Sequence, residues 1–142
     1  MRFTVATHIL LLLAGAPERP GEGGAESATS FWLAARVHTN PVVVRRISGQ
    51  LARAGLLRVR RGAGGAVLAR PADAITLEDV WLAVNGNTER PLLARPTTNG
   101  DGADGARALA VLTGAFGEAE AAFRGGLRGI TLRHLADRMG DG

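Results

Sequence analysis

Between Asn40 and Pro71 the chain is punctuated so closely that few folds remain open to it. Asn40-Pro41 is a strong helix start. Asn caps free amides, and Pro suits the first turn because it needs no amide partner there. Gly55 is a favoured helix-ending residue. The spacing predicts a helix over Pro41–Ala54 with Val44, Ile47 and Leu51 as its apolar stripe. Its other side carries Val42, Arg45, Arg46, Gly49, Gln50 and Arg53. Two short strands follow, Leu56–Arg60 and Ala66–Arg70, joined by Arg61-Gly62-Ala63-Gly64-Gly65. Glycines there permit the positive φ of a tight turn. Pro71 ends the second strand.

The flanking segments read as helices. Phe3–Ala14 is apolar on most of its surface and is expected to be buried on most sides. An early Arg2, the apolar run Ile9–Ala14 and the Ala14-Gly15-Ala16 end resemble a short signal peptide. Thr4, Thr7 and His8 interrupt the run, so a buried first helix and a cytoplasmic protein are expected. The run is also too short to span a bilayer. Pro17–Ala25 is a Gly/Pro/Glu loop. Ser27, Thr29 and Ser30 can cap a helix running to about Val37, with Phe31, Leu33, Ala34 and Val37 expected inside. His38-Thr39 makes a short turn. Downstream, Thr76-Leu77-Glu78-Asp79 has the form of a capping box opening a helix to about Val84, closed by Asn85-Gly86. Asn87–Gly105 is expected to be a loop. Ala106–Phe123 returns to helical spacing, with Leu109, Leu112, Phe116 and Phe123 roughly on one face. Gly125-Gly126 is expected to break that helix, and Ile130-Thr131-Leu132 to open a last one through Met139. Ile75-Thr76-Leu77 and Ile130-Thr131-Leu132 echo each other, which a shared cap-plus-anchor pattern explains.

Charge placement adds a second constraint. Ser27 to Ala72 contains eight arginines and no Asp or Glu, and all 17 basic residues of the chain are Arg. Arginine offers a planar fork that meets phosphates and guanine edges bidentately. The chain has no Cys, so disulfides, thiolate metal sites and cysteine redox chemistry are excluded. His8, His38 and His134 are far apart and are expected to be packed or surface residues. Trp32 and Trp81 are expected to pack into the core. No carboxylate pair and no nucleophile–base arrangement stands out, so an enzyme is not expected. Gly62–Gly65 lies between strands rather than before a helix, which rules out a dinucleotide fingerprint.

Helix, short turn, helix and two-stranded hairpin in this order make a winged helix-turn-helix. Its second helix can lie in the major groove of double-stranded DNA while the first crosses the backbone. Arg45 and Arg46 project from its N-terminal end. Arg61 can reach a flanking minor groove, where narrow A·T tracts attract arginine. Thr29 and Ser30, with the helix N-terminus they cap, suit a phosphate. The candidate DNA-binding set is Thr29, Ser30, Asn40, Val42, Arg45, Arg46, Arg53, Arg60, Arg61, Gly62, Gly64 and Gly65. The alternative is a winged helix used as a protein-interaction module. Such a module would carry acids or apolar anchors on the outer helix face, and the arginines favour DNA.

The runs Asn40-Pro41-Val42-Val43-Val44-Arg45-Arg46-Ile47, Leu51-Ala52-Arg53-Ala54-Gly55-Leu56-Leu57 and Arg60 through Pro71, continuing in Ile75 through Val80, carry a resemblance. They resemble the Rrf-two family of bacterial winged-helix transcriptional regulators. The likeness covers about Met1 to Asn85 well and the last forty residues by general pattern. It implies a homodimer, with Ala106–Phe123 as the long dimerisation helix through Leu109, Leu112, Phe116 and Phe123. It also implies groove contacts by Val42, Arg45, Arg46 and Arg61. The expected architecture is mainly α with a small β-hairpin wing: a DNA-binding domain over 1–86, a flexible loop over 87–105, and the dimerisation helix with a short last helix over 106–142. The expected role is a repressor on a palindromic operator, with a small-molecule effector of unassigned chemistry left open. Well-known members carry three cysteines before the dimerisation helix and bind an iron–sulfur cluster there. This chain has none, so it resembles the cysteine-free branch, and neither cofactor nor metal is expected.

Overall fold

The computed structural model of the chain describes residues 2–15, 29–60, 65–86 and 102–140. Helix α1 (Arg2–Gly15) is the centre around which the rest assembles. Ala6, Ile9, Leu10 and Leu13 are buried, and Phe3, Val5, Leu12 and Ala14 pack partly against the same core. The helix contacts α2 (Ser30–Val37), α3 (Pro41–Arg53), α4 (Leu77–Asn85), α6 (Leu132–Gly140) and the second strand. A helix touched from so many directions needs apolar residues around its circumference rather than in one stripe.

The local punctuation is realised as hydrogen bonds. Thr29 caps α2 by accepting from the Trp32 amide at 3.2 Å. Asn40 caps α3 by accepting from the Val43 amide at 3.0 Å, and Pro41 takes the first turn. Helix α3 closes in a Schellman motif. Gly55, at φ +75°, donates to the Ala52 carbonyl, and the Leu56 amide donates to the Leu51 carbonyl at 3.0 Å. Leu51 and Leu56 are both buried, as this motif favours.

The hairpin pairs β1 (Leu57–Val59) with β2 (Ala66–Leu68) antiparallel, with Leu57 opposite Leu68 and Val59 opposite Ala66. The regular strands are shorter than expected. Arg60 to Gly65 at one end and Ala69 to Leu56 at the other each add one backbone hydrogen bond to the ladder. A 3-10 turn (Ala72–Ala74) leads to α4, where the Thr76–Asp79 capping box forms in full. Helix α5 (Ala103–Arg128) and α6 complete the chain. Winged-helix body and long helix are the architecture expected.

Three expectations are corrected. Phe31 does not lie inside; its side chain is 66% exposed. At 100° per residue it sits about 110° round α2 from the middle of the buried Leu33, Ala34 and Val37 side. The Gly125-Gly126 pair does not break α5, which runs unbroken to Arg128. The contacts beyond the pair explain this: Leu127 is buried, and Arg128 is held by Glu78 in a bidentate ion pair at 2.9 Å and 3.2 Å. Anchoring of the last turn outweighs a glycine penalty of about 1 kcal/mol per residue. Helix α5 also begins at Ala103, inside the segment expected to be a loop; residues 87–101 of that segment lie outside the described residues.

The two echoing tripeptides meet. Thr76 and Thr131 form an isolated antiparallel bridge. The Leu77 amide donates to the Ile130 carbonyl at 2.9 Å, and the Leu132 amide donates to the Ile75 carbonyl at 3.0 Å. Each Thr caps the helix that starts beside it. Thr76 uses Asp79, and Thr131 uses His134, whose backbone amide donates to Thr131 Oγ1 while its Nδ1 accepts from the Thr131 amide. His134 is therefore a capping residue.

Candidate nucleic-acid interface

Helix α3 has two faces of opposite character. Val44, Ile47, Ser48 and Leu51 are buried. Val42, Arg45, Arg46 and Arg53 are exposed. Residues three and four apart share a helix face, so Val42 lies beside Arg45 and Arg46 at the N-terminal end. Arg58 on β1 and Arg60 just after it are exposed too. No acidic residue occurs between Ser27 and Ala72 to neutralise this group.

Within the face, Arg45 is held. Its Nε donates to Ser30 Oγ at 3.3 Å, and its guanidinium lies 5.6 Å from the centre of the Phe31 ring. Helices α2 and α3 thus meet at their N-terminal ends through a residue pair on one and an arginine on the other. Phe31 was not among the residues expected here. Its place on the α2 wheel, off the Leu33–Ala34 side, is the signal that could have found it.

Of the expected set, Thr29 and Asn40 serve as helix caps, and Ser30, Val42, Arg45 and Arg46 gather at one end of α3. Arg53 lies in the last turn of α3. Gly65 closes the hairpin ladder with Arg60 at φ +66°. Arg61, Gly62 and Gly64 lie outside the described residues.

The apolar residues expected along the long helix divide. Phe123 stacks edge-on against Trp81 at 5.1 Å between ring centres, and Trp81 stacks on Phe3 at 5.3 Å. That aromatic chain ties α5 to α4 and α1. Toward the start of α5, Leu112 is 41% exposed and Val111 67%, and Leu109 and Phe116 are half-buried. Among the described residues no helix is long and apolar enough to cross a membrane.

The family described as "Rrf2: Iron-dependent Transcriptional regulator" matches residues 1–138. The chain is 40% identical over 89 residues to YwnA of Bacillus subtilis (strain 168), a protein named as a candidate HTH-type transcriptional regulator. That match spans 62% of this chain and 59% of YwnA, about three fifths of the relative's length. Among solved structures, a candidate DNA-binding protein is 28% identical with a TM-score of 0.73, over 95% of this chain and 98% of that one. Staphylococcus aureus CymR shares the fold at 20% identity and a TM-score of 0.68, over 95% of this chain and 94% of its own.

The family's description names iron. The chain offers no thiolate, and the described residues bring no three His, Asp or Glu side chains together as metal ligands. The two-faced α3, the basic hairpin and the match over residues 1–138 agree: the chain belongs to the Rrf2 family of DNA-binding transcriptional regulators, which are not enzymes.

Proposed function

We propose that the protein acts as a homodimeric, sequence-specific repressor in the cytoplasm, with α3 in the major groove and the hairpin over the flanking backbone. The observation that carries this reading is the outward display of Arg45, Arg46 and Arg53 on a helix whose opposite face is buried. The packed face fixes the helix to the body and the free face is cationic; the major groove is wide enough to admit such a helix. Arg45 and Arg46 read base edges, while Arg53, Arg58 and Arg60 contact phosphates. Thr29 and Ser30, at the start of α2, approach the backbone.

The dimer reading is supported by α5. Its 26 residues span about 39 Å, and it carries exposed Val111 and Leu112 between half-buried Leu109 and Phe116. A second copy of the same helix covers them in a two-fold pair. Two winged helices related in this way call for an imperfect palindrome with half-sites about one helical turn or a little more apart. A dimer seated on promoter DNA represses by excluding polymerase.

Binding selection on genomic DNA, followed by affinity measurement across salt, tests this reading. With about 6–10 phosphates neutralised, affinity is expected to fall by about 10³–10⁵ between 50 and 200 mM salt. Arg45→Ala and Arg46→Ala are expected to relax preference at particular bases, by about 1–3 kcal/mol if the contact is bidentate. A flat salt response, or equal weakening on every sequence, contradicts the assignment. In-vitro transcription from the selected site decides the sign of regulation.

A further inference from the structure

We propose that Phe31 and Arg45 form one composite reader of two neighbouring bases, in which Arg45 takes a guanine edge and the Phe31 ring takes the C5-methyl of an adjacent thymine. The inference rests on the DNA-binding reading of α3 and assigns a residue of α2 to specificity.

Three observations converge on it. First, Phe31 is a large aromatic side chain left 66% exposed and set outside the buried core cluster. Second, the ring does not face open water alone: the Arg45 guanidinium lies 5.6 Å from its centre. That separation is on the order of one to two base-pair rises, so an arginine on one base places the ring near the next. Third, Arg45 is engaged through Nε, which donates to Ser30 Oγ at 3.3 Å. That bond uses Nε and not the two terminal amino groups, the pair that reaches guanine O6 and N7. Val42, one turn before Arg45 on the same face of α3, is also exposed, at 60%.

The chemistry selects the occupant. A ring set among cations in a segment free of acids suits a partner that is anionic overall and apolar at one point. The major-groove edge of DNA supplies one apolar group, the thymine methyl, and phenylalanine is among the side chains that contact it. A protein ligand carrying acids around an apolar anchor is the competing occupant, and the experiment below separates the two.

The test is a thymine-to-uracil scan of the selected operator, which removes one methyl at a time and leaves base pairing and charge intact. Wild-type protein is expected to bind about three- to fivefold more weakly per half-site when the thymine beside the Arg45 guanine becomes uracil. Phe31→Ala is expected to bind thymine and uracil operators alike, with the salt slope unchanged because no charge is removed. Val42→Ala is expected to keep the methyl penalty. Because Phe31 is exposed, its variant keeps the wild-type unfolding temperature, which serves as the folding control. Wild-type indifference to every thymine methyl overturns the proposal, and so does a Phe31→Ala protein that keeps the full penalty. In either case salt-dependent selective binding and loss of guanine preference in Arg45→Ala leave the DNA-binding reading standing. A chain that selects no DNA sequence overturns both.

Discussion

His38 shows how one residue can carry a local strain that a neighbour makes worthwhile. It follows α2 in the left-handed region, at φ 57° and ψ 47°, where its amide donates to the Ala34 carbonyl. The Thr39 amide reaches the same carbonyl at 3.1 Å. This is the position glycine fills at many helix ends, and the conformation costs a side-chain-bearing residue about 1–2 kcal/mol. The turn it makes sets α2 against α3 and so brings Ser30 to Arg45. His38→Gly removes the clash of Cβ with the backbone and adds freedom to the unfolded chain. The expected net effect is a gain of about 0.5–1 kcal/mol in denaturant unfolding, with operator affinity unchanged. A loss of stability would show that the imidazole makes a contact of its own. His38 is also the residue for which sequence reading stopped short: the turn was legible from His38-Thr39, but its handedness was not.

At the scale of elements, α5 behaves differently along its length. Its C-terminal turns are fastened by Phe123 on Trp81, by buried Leu127 and by the Arg128–Glu78 pair. Gly125 lies inside this fastened stretch, and a Cβ added there meets nothing within 4 Å. Gly125→Ala is therefore expected to stabilise the protein by about 0.5–1 kcal/mol in thermal or denaturant unfolding. Destabilisation would mean that the helix ends before the glycine pair. Toward the start of α5, Val111 and Leu112 are exposed beside half-buried Leu109 and Phe116. If two copies cover them, replacing Leu112 and Phe116 together by Glu is expected to yield a monomer in sedimentation at micromolar protein, with helix content retained. A dimer that survives both substitutions places the interface elsewhere. The Arg128–Glu78 pair is exposed on the arginine side, and its hydrogen bonds and charge raise the Arg128 pKa. On the Arg128 side, the resulting stabilisation is present below the unfolded arginine pKa and is lost as pH rises through the higher folded value. Salt weakens this exposed fastening by screening it.

For the whole molecule, the Thr76–Thr131 bridge joins the winged-helix body to the C-terminal end of the chain. The two residues face each other as a non-hydrogen-bonded pair, the closer of the two antiparallel spacings. Each also caps a helix, α4 in one case and α6 in the other. Thr76→Ala and Thr131→Ala are each expected to cost about 0.5–2 kcal/mol through the lost cap. The double variant is expected to depart from the sum of the two, because the residues share one bridge. Additivity within about 0.3–0.5 kcal/mol in a double-mutant cycle would show that the two caps act independently.

What the sequence determined by itself is what its near neighbours can decide. The caps at Asn40 and Thr76 and the stop at Gly55 depend on hydrogen bonds that close within about three to five residues, so side-chain type at a fixed offset suffices to place them. The two faces of α3 were legible for the same reason: a helix of known start has a known phase. Tertiary structure alone decided the rest. Phe31 is exposed because α2 turns its Leu33–Ala34 side to the core and because Arg45, 15 residues beyond Ser30, comes to lie beside the ring. Helix α5 continues through Gly125-Gly126 because Glu78, 50 residues earlier, holds Arg128. The two tripeptides pair because α4 and α6 start side by side on α1, the helix both of them contact. A pattern of spacing carries the phase of each helix; which faces meet, and what holds an end in place, is fixed by contacts between residues far apart in the chain.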